Sequence, residues 1–344
     1  MNPYRIIKNL AAIITLVLFC LPGWAASQSL EVPSAKWGIS IGNSPAFTGL
    51  RFNYRDNHVQ YVNGINVTIW QPFKENQPAE IQGISLGLLP GGGNLTGIQL
   101  GLVGIAANKN VSGISVAVVG FGAGGSVTGI SLSGIGMGTG GDVKGLHIAG
   151  IGVGAGGNVS GITVSGIGVG GGKNVTGLNF ALVGIGASEN LSGITLAGIG
   201  AGAGGDVTGV SLAGLGFGAG KNVRGLTIAG LGVGAGETIS GVTFTGLGAG
   251  AKKIQGLTIA GLGIGAEHLA GVHLALGNIR VLQDGRLCGL SMSGFNYIRG
   301  TQNGISIGLI NYAYRLKGMQ FGLINIVRDN PKLRRVLPLL NFNF

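Results

Sequence analysis

The chain has 344 residues, 73 of them glycine, with 45% hydrophobic residues, a formal net charge of +11 and two cysteines. That much apolar side chain excludes a disordered glycine-rich linker. So few cysteines exclude a disulfide framework.

Residues 1–25, "MNPYRIIKNLAAIITLVLFCLPGWA", place Arg5 and Lys8 ahead of an apolar run that ends at Pro22, followed by Gly23 and Ala25. This is the pattern of a secretory signal peptide cleaved after Ala25, and it predicts an exported chain. Loss of Arg5 and Lys8 takes the net charge from +11 to +9 and leaves Cys288 as the single cysteine.

From there the glycines keep time. Gly97, Gly113, Gly129, Gly145, Gly161, Gly177, Gly193, Gly209, Gly225 and Gly241 follow one another at a spacing of 16, and a looser register extends from Gly49 to Gly318. A period of this size predicts an array of stacked units in place of a conventional core. Within the unit at Gly161, "GITVS" and "GIGVG" carry aliphatics at their second and fourth places, and "GGKNVT" follows. Steps of two between aliphatics predict strands, and the step of three between Val164 and Ile167 predicts a corner. On this reading Ile162, Val164, Ile167 and Val169 point inward, and Thr163 points outward. The irregular units at Gly83, Gly256, Gly271 and Gly304 change length only in the third segment, which also carries all the charge between Gly97 and Ala270.

One unit buries too few side chains to offset the ordering of 16 backbones. Stacking is therefore required, each strand pairing with its equivalent in the next unit. The predicted fold is all-β: a parallel β-solenoid of about 16-residue coils with capping ends. Residues 26–48 form an N-terminal cap, 49–318 the repeat domain and 319–344 a C-terminal cap. The competing fold is an antiparallel outer-membrane β-barrel with one strand per repeat. Its support is the alternation of Leu340, Phe342 and Phe344 at the end and the uncharged decades of the repeat. Against it stand the slipped phase inside each decade, the scarcity of Tyr and Trp in the repeats, and a period of one unit where an up-and-down barrel would show two.

The closing units, "GISIGLINYAYRLKGMQFGLINIV", carry the phrase G-[IM]-x-[IF]-G-L-I-N. From about Gly289 onward they resemble a glycine-rich bacterial surface-repeat family of the spirochaete type, from which the middle units depart with "GIGVG". The resemblance implies an exported, surface-located protein and carries over no catalytic residue.

The residues support no chemistry: no catalytic, metal or cofactor site is expected. "GAGKN" at Gly218 to Asn222 lacks the first glycine and the final hydroxyl of a phosphate loop. Asp142 and Asp206 share a column with Asn158, Asn174, Asn190 and Asn222, which reads as a polar ladder closing each turn. His147 and His273 lie eight units apart, about 38 Å by strand spacing, too far to share a metal. Cys288 has no base beside it.

Two surfaces stand out. Ser131, Thr163, Thr195, Ser211, Thr227, Thr243 and Thr258 form a column predicted to face outward, a candidate binding face for the outer membrane or its lipid, envelope polysaccharide, ice or a second copy. Arg315, Lys317, Arg328, Lys332, Arg334 and Arg335 gather near the end, opposed by Asp329, and are candidates for contact with an anionic surface. The sequence thus points to a non-enzymatic scaffold of the outer membrane or cell surface, or of the periplasm or medium. Nucleic acid and small-molecule substrates are not expected.

Overall fold

The computed structural model describes residues 29–73 and 79–343, so the leader and Phe344 lie outside the described residues. The chain is all-β, a parallel β-solenoid of about 17 turns spaced about 16 residues apart. The barrel alternative is overturned, because successive laps run parallel, whereas neighbouring strands of an up-and-down barrel run antiparallel.

The chain divides into two compact units, one up to Ala117 and one from Val118. In the first, Ser29–Pro33 lies antiparallel to Trp37–Gly42, which then pairs in parallel with Ala46–Arg55. Tyr61–Trp70, Glu80–Gly87, Asn94–Gly101 and Val111–Ala117 follow, each aligned glycine on glycine from Gly38 to Gly113.

In the second unit each regular lap contributes a seven-residue strand such as Val159–Ser165 and a four-residue strand such as Gly168–Gly171. Both pair with the strands 16 residues before and after. From Gly248–Ala260 onward the two segments merge into longer strands. Among these parallel pairings, register irregularities fall between Ala266 and His268, between Val281 and Arg286, and between Ile298 and Thr301. All three sit in the third segment, where the sequence tolerates changes of length. The last strand, Val336–Asn343, turns back antiparallel along Ile310–Val327 and covers its edge.

The corner glycine holds the lap together. Gly97, Gly113, Gly129 and their equivalents to Gly318 adopt φ between +99° and +136°, a region that L side chains rarely enter. A Cβ at Gly177 would collide with the carbonyl oxygen of Gly161 in the lap before, and the same clash recurs at the equivalent glycines from Gly145 to Gly318.

This corner sets the phase of the strand that follows, and the phase corrects the sequence reading. Val159, Thr163, Ser165 and Val169 are buried, whereas Ile162 is 45% and Ile167 50% exposed, with Val164 intermediate. Of the four aliphatics expected inside, only Val169 is. The interior is narrow, and small residues fill it: Ala149, Ser165, Ala181 and Ala197 recur at one inward position, Ala155, Gly171 and Ala187 at another. The largest inward aliphatics are Val169 and its equivalents, together with Val143, Val159, Val175 and Leu191 at the end of the third segment.

Two glycine substitutions separate these effects. Gly177→Ala is expected to destabilise by about 2 kcal/mol or more in urea unfolding, since it adds strain to a backbone clash. Gly186→Ala, whose Cβ would meet nothing within 4 Å and whose φ is not positive, is expected to be neutral or to stabilise by roughly 0.4–1 kcal/mol.

Candidate functional site

The phase inversion relocates the hydroxyl column. Ser131, Thr163, Thr195, Ser211, Thr227, Thr243 and Thr258 are all buried, Thr163 completely, so they form an internal polar file and not an outer binding face. The physical reason is the corner: two residues beyond each positive-φ glycine the side chain points inward, whatever its polarity. The file also holds His147, Asn179, His273, Ser291 and Ser306.

Some members pair, as Ser291 with Ser306 at 2.8 Å and, in the first unit, Ser115 donating to Gln99 Oε1 at 2.9 Å. Others have no hydrogen-bond partner: Thr163 Oγ1, Thr258 Oγ1, the Asn179 amide, and both ring nitrogens of His147 and His273. Burial pushes both imidazoles down, His273 to about 4. The Ala270 backbone opposes the shift at His273 without bonding either ring nitrogen.

With the polar residues inside, the outer side of the same strand is apolar. Ile130, Ile162, Ile194, Ile228 and Ile259 are exposed along it, and Ile135, Ile151, Ile167, Ile199 and Leu215 continue it round the next corner. The short strand beyond shows mainly glycine outward, including Gly122, Gly138, Gly170 and Gly186, where an added Cβ would meet open space. A shallow depression on this strip lies over Ala201, which replaces the bulkier Ile185 and Phe217 of neighbouring laps.

The polar turn ladder is present as the sequence suggests. Asn158 donates to Asp142 Oδ1 from its backbone at 2.8 Å and its amide at 3.0 Å, and Asn174 and Asn190 repeat the pattern in turn. The Asn158 backbone N–H, with the Lys144 ammonium at 3.1 Å, holds the Asp142 carboxyl below its ordinary value.

All six candidate cations are exposed, and the structure brings them to the last lap and the turn that follows it. Arg315 meets Asp329 at 3.3 Å, an exposed pair of small energetic weight. Cys288 is free and exposed, and among the described residues no three His, Cys, Asp or Glu converge on a metal position.

Two internal polar clusters escaped the sequence reading. In the first unit the fully buried Arg51 donates to Asp56 Oδ1 at 2.7 Å and to Asn66 Oδ1 at 2.9 Å, with Asn53 also on Asp56 at 2.7 Å. The signal was an arginine two residues beyond Gly49, at a position held by Ser or Thr in most later laps. In the last laps Asn296 donates to Asn311 and Asn311 to Asn325, each at 2.8 Å, so the asparagine of the G-L-I-N phrase is an internal ladder.

Comparison with protein-family models, with curated proteins and with solved structures returns no match.

His273 refuses a proton in the folded chain until about pH 4, whereas the unfolded chain accepts one near 6.5. Stability is therefore present above pH 6.5 and is lost as pH falls toward 4, by on the order of 3 kcal/mol from this residue. Urea unfolding across this range is expected to show a flatter pH dependence for H147T/H273T than for the parent. Arg51→Met, which strands the buried Asp56, is expected to lower stability by about 3–5 kcal/mol in the same assay.

Proposed function

We propose that the chain is an exported, non-catalytic scaffold of the outer membrane or cell surface, whose repeats hold flat, uncharged outer columns in fixed register. The observation that carries this reading is the partition of the lap. From Gly129 to Ala270 the columns led by Ile162 and Ile167 and the glycine strip beside them carry no charge, while Lys173, Glu189, Lys221 and Glu237 lie in the turn segment, and Arg280 is the first charge to enter the strip. Stacking repeats each column, and a solenoid is suited to presenting extended surfaces of this kind. The leader pattern and the resemblance of the closing units to bacterial surface repeats point to export.

Recognition of ice or polysaccharide through the hydroxyl column does not survive, because that column is internal. Self-association or membrane contact would use the apolar columns.

Cell fractionation of an epitope-tagged full chain tests the reading. The protein is expected in the outer-membrane fraction and accessible to protease on intact cells. Recovery in the cytoplasm with its leader uncleaved would overturn it.

A further inference from the structure

The outer columns of the second unit form one apolar wall, and its partner can be read from what borders it. From Gly129 to the end every lap adds at least one exposed large aliphatic or aromatic side chain, and most add two or three. At 36% exposure or more, these sum to on the order of 1,000 Å² of apolar surface. Soluble monomers rarely expose more than a few hundred Å² in one patch. The wall is therefore covered when the protein works.

In the lap from Gly161 the wall comprises Ile162, Val164 and Ile167, and the charged turn follows at Lys173. With 16 residues per lap, the turn lies about half a circuit from the middle of the wall. The cross-section is amphipathic, with one greasy side and one ionic edge.

The end of the wall distinguishes a lipid from a second copy. Val336–Asn343 adds a final strand, with Leu340 beside Phe321 and Phe342 beside Met319, and both Leu340 and Phe342 exposed. This strand begins just after Lys332, Arg334 and Arg335, and its far end pairs with Gly318, next to Lys317. Leu333, in the turn Lys332–Arg334, is 93% exposed among these cations. Two copies packed wall to wall in the same direction would bring the cations together. Packed in opposite directions, they would set the cations against the first laps of the unit, where the one acid before Glu189 is Asp142, already paired with Lys144. Hydrocarbon beneath the wall and anionic headgroups around its end satisfy both features.

We propose that this wall lies in the interface of a membrane containing anionic lipid, with the acyl chains against the aliphatic columns and the headgroups against Lys332, Arg334 and Arg335. This rests on the scaffold reading and names its partner.

Flotation of the purified full chain with vesicles tests it apart from any location in the cell. The chain is expected to float with phosphatidylglycerol-containing vesicles and about tenfold less with phosphatidylcholine alone, the preference shrinking in high salt. The variant K332Q/R334Q/R335Q is expected to lose the preference. An environment-sensitive fluorophore on Ile194→Cys, in a Cys288→Ser background, is expected to shift to the blue on binding, and one on Lys221→Cys to stay unchanged. Absence of flotation with a stable dimer in light scattering would show that a second copy covers the wall and would overturn the proposal. Flotation with no shift at residue 194 would overturn it equally.

Discussion

The structure depends on one backbone constraint: a glycine at positive φ in every lap, stacked on the glycine of the lap before. A side chain at that corner would strike the neighbouring carbonyl, as at Gly177 against Gly161. Because the corner recurs in register, the strands on either side are placed in parallel alignment, Val159 with Val175 and Thr163 with Asn179. The hydrogen bonds of each lap are then supplied by its neighbours, and a single lap has no stable existence.

From this corner follows the distribution of polarity. The two side chains nearest the axis on the long strand are short, as at Thr163 and Ser165, and the branched aliphatics are displaced to the outside. The interior keeps an apolar component through Val159, Val169 and their equivalents, but it also holds a file of hydroxyl, amide and imidazole groups, several without partners. Such a cross-section is costly in water, since it exposes hydrocarbon and buries polar groups together. An apolar covering over the wall removes the first of these costs.

Much of the fold was legible in the sequence because period and composition are direct consequences of stacking. The unbroken spacing from Gly97 to Gly241, the parallel laps, and the confinement of insertions and charge to the turn segment all appear in the structure. The direction of the side chains was not legible. Large aliphatics were assigned to the interior by the usual burial preference, yet two-residue alternation is the same for either phase. The deciding clues were the small residues confined to the columns of Ala149 and Ala155, and the aliphatic residue, valine or its Leu or Ile equivalent, two places before nearly every corner glycine. Of the candidate sites, the cation cluster lies together on the surface and the hydroxyl column lies inside. The Arg51–Asp56 pair was hidden because its partners are set by the fold and not by spacing.

The central claim is that laps stack in parallel, one strand spacing per 16-residue period. Nitroxide labels at Ser160 paired in turn with Thr208, Ser240 and Gln255, in a Cys288→Ser background, measure this by pulsed dipolar spectroscopy. The account predicts separations that rise linearly, to about 14, 24 and 29 Å for three, five and six laps at the parallel strand spacing. Separations that do not grow with the number of laps, or that return toward small values as they would around a closed barrel, would contradict it.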